Sequence, residues 1–416
     1  MKSMAARRSL QLFGVLLLFV PVLSGCWDRL EIDDRAVVLG VSIDEAENEE
    51  AARKEENEVS HVRGSLPPPK EGMVKVGVQI ALPGQIPLGP GEAGGSAGSS
   101  PNRTVWVIHV VGHSINDAFM NLQQQVSSKL FFGHLRIIVI SEEVAKKDMS
   151  NINDFFRRNA EVRRMAWMMV SKGKAFALMN AAPRLERIPT LYLMSTLDNA
   201  IKMGKFPKDY LGQYWSNSSK KGQEGFLPYV DIKEQDNVEI QGLAYFCGER
   251  LVGVTKPMEI SGFLGLRGIN PAGYRAVVLL DKDDLTTAVM TNVTHRHSKI
   301  DLSIKDGKPY FKIKVELEAN LAEKMGHGIS LEDPASIAMI ERKQEEGSVQ
   351  FYKNIIAKTQ SKSSDIFGFG EMVRAKKPGY WHQYVGSKEK WQEMYKQTTF
   401  DIEVAVRIRR IGMKAI

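Results

Sequence analysis

Two rhythms of hydrophobic and polar positions run along this chain. Through the first half, short unbroken apolar runs recur, of the kind a strand buried on both faces needs. They are "AVVLGVSID" from Ala36, "MVKVGVQIAL" from Met73, "TVWVIHVV" from Thr104, "LRIIVI" from Leu135 and "MAWMMVS" from Met165. Helical patterns alternate with them. Ile115, Phe119, Leu122 and Val126 keep to one helical face behind Ser114, with Asp117 where a capping box usually has Glu, and "NINDFFRRNAEVRR" from Asn151 predicts another helix. Strands alternating with helices predict an α/β N-terminal domain over residues 26–182; a single domain running on to about residue 270 is the alternative. A further helix is predicted at "IPTLYLMSTLDNAIKMG", with Pro189 in its first turn and Leu191, Met194, Leu197 and Ile201 facing one way. Short strands and glycines follow, so residues 183–272 are expected to form a small middle domain.

The last third changes period. In "KIDLSIKDGKPYFKIKVELEANL", Ile300, Leu302 and Ile304 alternate with polar residues, as do Phe311, Ile313, Val315 and Leu317, around Asp306-Gly307. That is a hairpin with one wet face. "DIEVAVRIRRI" from Asp401 repeats the pattern, and between the two Asp333 caps a helix with Pro334 in its first turn, running to about Gln360. Residues 273–416 are therefore expected to be an α+β domain, an antiparallel sheet covered by a long helix. The fold class as a whole is α+β, three mixed α/β domains.

Two segments of the first domain fit neither rhythm. Residues 45–72 hold seven acids between Glu45 and Glu58 and then three consecutive prolines, and residues 83–102 are Gly/Ser-rich. Neither can bury enough apolar surface to order itself, and both are expected to be disordered loops.

Composition adds a boundary at the start. Lys2, Arg7 and Arg8 precede an apolar run from Leu10 to Val22, whose thirteen residues span about 20 Å as a helix, short of the roughly 30 Å hydrocarbon core. Residues 1–25 are thus expected to be a signal peptide rather than an anchor helix. Removing its three cations from the formal +7 leaves +4 from Cys26 onward, which indicates no nucleic-acid partner. Leu23-Ser24-Gly25-Cys26 resembles a bacterial lipobox, in which the Cys thiol takes diacylglycerol and becomes the acylated N-terminus. Two chains hold a membrane where one holds it only marginally. The other cysteine, Cys247, then has no partner and is expected to be a small buried hydrophobe.

Catalytic patterns fail on context. "GGSAG" around Ser96 lies in a Gly/Ser loop rather than a strand-turn-helix, and Ser171 with Lys174 lacks a Lys-Thr-Gly companion. His295 and His297 share a strand face with Lys299 and no nearby acid or Cys, which favours a solvated face over a metal site. His109 and His113 lack the Glu of a zinc-protease motif. Trp381, His382 and Tyr384 suit either an aromatic ligand pocket or packing between helix and sheet. No catalytic, cofactor or metal residue is assigned, and the expectation is a non-enzymatic protein.

Cys26-Trp27-Asp28, then Glu31-Ile32 and a strand ending in "GVSID", resemble the opening of the Ger(x)C family, the C-subunit lipoproteins of bacterial spore germinant receptors. The resemblance continues through "FGHLRIIVISEEVAK", "FFRRNAEVRRMAWMMVSKGKA", "GLAYFCGERLVGVTKPMEISGFLGLRG" and "SSDIFGFGEMV". It implies a lipid-anchored subunit on the extracytoplasmic face of the spore inner membrane. Its implied partners are a multi-spanning, transporter-like subunit, A or B, and the other membrane subunit of the same receptor, which has a large soluble domain, and its implied role lies in nutrient-triggered germination. Cys26 would carry the lipid; Trp27, Asp28 and Glu31 match the family's opening, and Asp365, Gly368 and Gly370 its C-terminal signature, with no role assigned. Beside an acylated Cys, Trp27 would sit at the headgroup level, where amphipathic rings are favoured. A solute-binding lipoprotein of a transporter is the alternative, and it would need two similar lobes around a pocket.

Overall fold

The computed structural model describes residues 34–46, 72–82, 104–181, 186, 188–234, 237–280, 287–325, 331 and 333–410. Cys26, Trp27, Asp28 and Glu31, the signal segment, and the two inserts apart from their margins lie outside these residues.

A nine-stranded mixed sheet forms the first layer. Its strands are β1 (Arg35–Glu45), β2 (Val74–Ala81), β3 (Val105–Gly112), β4 (Lys129–Phe131), β5 (Ile137–Ser141), β6 (Trp167–Ser171), β7 (Phe226–Ile232), β8 (Val238–Cys247) and β9 (Arg250–Val254). They run in the order β3-β2-β1-β5-β6-β7-β8-β9, with β4 pairing the start of β1. The pairings β1–β5, β5–β6 and β6–β7 are parallel and the outer ones antiparallel. Because β7 bonds directly to β6, the strands of residues 183–272 extend the first sheet across residue 182 instead of forming a sheet of their own.

The unbroken apolar runs of β1, β2, β5 and β6 arise because this part of the sheet is covered on both faces, whereas β3, at its edge, leaves Trp106 exposed. Along β5 and β6, Ile137, Val139, Trp167 and Met169 face one core while Ile138, Ile140, Met168 and Val170 face the other. Helices α1 (Ile115–Gln125), α2 (Glu142–Lys147), α3 (Ser150–Arg158) and, further along the chain, α6 (Leu211–Ser218) cover the second face through Phe119, Val144, Phe156 and Tyr214. The Ser114 hydroxyl caps α1 by accepting from Asp117 N at 3.1 Å. The other face is covered by α4 (Ala175–Leu178), α5 (Pro189–Lys202) and α7 (Pro257–Leu266). In α5 the buried stripe is Leu193, Leu197 and Ala200, rotated from the expected one because Leu191 and Met194 lie at its edge.

The same core continues into the C-terminal half. There β10 (Arg275–Leu279), β11 (Ala288–Lys305), β12 (Lys308–Met325) and β13 (Thr399–Arg410) form a second sheet under helix α8 (Pro334–Gln360). The Asp333 carboxylate caps α8 by accepting from Ala335 N and Ser336 N at 3.1 and 3.3 Å. The hairpin turns on Asp306-Gly307, both with positive φ. The expected antiparallel sheet needs one correction: β13 runs parallel to β12. Its connection is a long crossover carrying α8, which returns the chain to the starting end of β12, whereas a hairpin would have reversed it. Phe311, Ile313, Val315 and Leu317 of β12, Ile402 and Val406 of β13, and Tyr352, Ile355 and Ile356 of α8 all join the core that begins at Ile137. The two halves therefore share one hydrophobic interior.

Candidate functional site

Of the residues singled out in the sequence, three meet at one place. After α8 the chain crosses Ser361–Gly368 and starts α9 (Phe369–Lys376), whose N-cap Gly368 has φ +78°, a left-handed backbone that favours glycine. The Asp365 carboxylate satisfies the orphan donors of that helix start. Oδ1 accepts from Gly368 N at 2.8 Å, and Oδ2 from Gly370 N at 2.8 Å and from the Trp391 indole at 3.0 Å. Trp391 belongs to α10 (Lys388–Tyr395). Asp365 is 1 % exposed, and burial pushes its pKa up to about 6 even though these donors pull the other way. A Cβ on Gly370 would lie 2.4 Å from the indole Cε2 and 2.7 Å from Gly222 Cα, so only hydrogen fits there.

This knot is bonded across to the segment that leads into β7. Glu224 N donates to the Asp365 carbonyl at 2.9 Å; Gly222 N donates to Glu371 Oε1 at 2.8 Å, and Gly222 O accepts from Glu371 N at 3.0 Å. Ser364 Oγ donates to the Phe246 carbonyl at 2.5 Å, and the Arg267 guanidinium to the Phe367 carbonyl. The Glu224 carboxylate, 2 % exposed, accepts from Gln392 at 2.7 Å and Gly248 N at 3.1 Å and pairs with Lys388 Nζ at 2.9 Å. Burial raises its pKa against the pull of Lys388. Beneath the polar groups, Phe367 packs on Phe263, and Phe369 on Phe311 and Phe400 at centroid distances of 4.9 and 4.7 Å. The seam joins the C-terminal half to the first sheet through backbone, charge and aromatic contacts at once. It holds nothing set up for bond-making chemistry: its carboxylates are spent on N–H donors and on one ammonium.

Sequence reasoning missed Gly222, Glu224, Lys388 and Trp391, whose partners are more than twenty residues away in the chain. The signal available was an acid between small residues in "GQEGF", too short to single out alone.

The other candidates separate. Ser171 is buried at the end of β6, while Lys174 pairs with Glu143 at 3.1 Å. His295 and His297 are exposed on β11 opposite Glu318 and Glu316, and His109 lies edge-on to Phe176. Trp381 is buried against Trp391, whereas Tyr384 is exposed beside Tyr380, which is packing and no enclosed pocket. Cys247 is half-buried with a free thiol whose pKa burial pushes up to about 11, and Ser96 lies outside the described residues. Among the described residues no group of three or more His, Cys, Asp or Glu side chains could hold a metal, and no helix is long and apolar enough to cross a membrane.

Comparison with known proteins covers nearly the whole chain. The family profile described as the spore germination protein N-terminal domain matches residues 28–232, and that described as spore germination B3/GerAC like, C-terminal, matches residues 241–412. Spore germination protein KC of Bacillus subtilis (strain 168) is 26% identical, over 96% of this chain and 95% of that protein. Spore germination proteins B3 and A3 of the same organism are 19% and 22% identical, over 96% and 94% of this chain and 97% and 95% of theirs. Among solved structures, the crystal structure of the GerBC protein superposes with a TM-score of 0.54 at 18% identity, covering 84% of this chain and 98% of that one, which establishes a shared fold.

Proposed function

Since the chain belongs to the Ger(x)C family of spore germination proteins, we propose that it is the lipid-anchored, non-enzymatic subunit of a spore germinant receptor. The observation that carries this reading is the pair of family matches, which between them account for both halves of the fold. In the proposal, Cys26 is diacylated after removal of residues 1–25 and holds the protein on the extracytoplasmic face of the spore inner membrane, with Trp27 at the headgroup level. The partners are the multi-spanning, transporter-like subunit, A or B, and the other membrane subunit of the same receptor. Confinement to one leaflet raises their effective concentration without any new contact. The shared interior and the Asp365 seam support the reading, since a subunit that works by contact has to pass a displacement from one half to the other without slack.

The test is to express the wild-type chain and Cys26→Ala in the native spore former, solubilise spore membranes in mild detergent and identify what co-purifies. The expected result is that wild type brings down both membrane subunits and that Cys26→Ala leaves the membrane fraction. A lipidated wild-type chain that purifies alone, or with transporter ATPases, overturns the receptor reading.

A further inference from the structure

Beneath the middle of α8 lies a cavity of about 590 Å³, bounded by α7, β10 and β11, which is within the size range of small-molecule sites. Its walls are mainly apolar, with Val278, Val293, Leu317, Phe351 and Tyr352 among them. The helix is held off the cavity on both sides. At its N-terminal half Ile340 packs with Val278, Val289 and Leu321, and Glu341 and Glu345 accept from Ile408 N and Val406 N of β13 at 2.7 and 2.9 Å. At its end Gln360 donates to the Tyr395 and Thr398 carbonyls at 2.7 and 2.8 Å. Between these anchors Lys343, Gln344, Gly347, Phe351 and Tyr352 are among the α8 residues lining the cavity, and at Gly347, exposed at its mouth, a Cβ would meet nothing within 4 Å. A glycine inside a helix is less stable than alanine there, and no neighbour here requires it.

Two polar side chains line this apolar space without their full complement of partners. Arg296 is 3 % exposed; its Nη2 donates to the Gly204 and Pro271 carbonyls at 3.0 and 3.1 Å, while Nε has no partner. No carboxylate of the described residues pairs with it. Gln344, 5 % exposed, leaves its Oε1 without a partner. Arg296 reaches the interior because β11 carries a bulge between Val293 and His295, which puts Arg296 opposite Leu317 on the inward face. A buried cation without an anion is costly, and a cavity beside it offers room for one. Around the mouth Arg275 and Lys343 outnumber Glu346, so the surrounding charge favours an anion as well.

We propose that this cavity binds a small molecule with an apolar body and a single carboxylate, one carboxylate oxygen accepting from Arg296 Nε. The contact is a single charge-assisted hydrogen bond, because both Nη2 donors are already committed to the Gly204 and Pro271 carbonyls. The site requires no partner subunit, so it stands or falls separately from the receptor reading.

The test uses the full chain in phospholipid nanodiscs, titrated by ligand-observed NMR with 3-phenylpropionate, the matched alcohol 3-phenylpropan-1-ol, and inorganic phosphate. The expected result is saturable one-site binding of the acid, at least tenfold weaker binding of the alcohol, and no competition from phosphate at equal concentration. Gly347→Phe, which sets a ring at the cavity mouth, is expected to weaken the acid at least tenfold while the protein still unfolds cooperatively. Arg296→Met is expected to abolish the preference for acid over alcohol. The proposal is overturned if the acid does not saturate, if the alcohol binds as tightly, if phosphate displaces the acid, or if folded Gly347→Phe binds unchanged.

Discussion

Removing the Asp365 carboxylate tests the seam most directly. In Asp365→Ala, three buried donors, Gly368 N, Gly370 N and the Trp391 indole, lose their acceptor together. An unsatisfied buried donor costs about 1–3 kcal/mol, so the gross loss is about 6 kcal/mol. Against this stands the cost of keeping the carboxylate charged. Its pKa rises from 3.8 to about 6 on folding, which at about 1.4 kcal/mol per unit is worth about 3 kcal/mol at pH 7. The net loss at neutral pH is therefore about 3 kcal/mol. The sign with pH follows from linkage: folded Asp365 holds its proton more tightly than the unfolded chain does. Its contribution is thus full below the unfolded pKa of 3.8 and is lost as the pH rises through about 6. The gap between wild type and variant should widen by about 2 kcal/mol from pH 7 to pH 4. Urea unfolding of the chain from residue 27 onward, followed by tryptophan fluorescence at four pH values, measures both quantities. A variant as stable as wild type at pH 7, or a gap that stays constant or narrows on acidification, refutes the account.

Three further outcomes are expected. Gly370→Ala forces a methyl into the Trp391 ring and the Gly222 backbone and should cost at least about 2 kcal/mol in the same assay, whereas a neutral result would show that the seam can open freely. Lys388→Met strands the buried Glu224 carboxylate and should cost about 3 kcal/mol, part of it recovered by adding Glu224→Gln; additive losses would argue that the pair is not coupled. Cys247, with its pKa pushed up to about 11, should react with an aromatic disulfide at pH 8 at least tenfold more slowly in folded than in unfolded protein, and equal rates would contradict its burial.

Much of the architecture was legible from period alone. Runs such as "LRIIVI" predict burial on both faces, and β5 has it. The alternating β12 is wet on one side, and its partner strand turns at Asp306-Gly307. What the pattern could not give was adjacency: nothing in "FLPYVDI" says that β7 joins β6, and the direction of β13 depends on how far α8 carries the chain back. Candidate residues followed the same divide. Asp365, Gly368 and Gly370 stood out as a motif, while Glu224 and Lys388 stand in segments with no periodic signal of their own. Arg296 was readable in part, because extending the alternation of Ile304, Leu302 and Ile300 backwards lands on it, although a buried arginine is not what that pattern ordinarily predicts.

The two cores differ in when they can exist. Every buried member of the one under α1, α3 and α6 lies between Ala36 and Leu251, whereas the other begins at Ile137 and is complete only with Val406. For a chain that emerges N-terminus first, one face of the large sheet can close completely while the core on the opposite face, begun by Trp167 and Phe226 under α4, α5 and α7, still lacks its C-terminal members. Until Thr399–Arg410 arrives and the loop after α8 is tied to Gly222 and Glu224, the part of that core which packs on the C-terminal half stays open, and synthesis stalled in the last fifty residues leaves a species prone to associate with copies of itself.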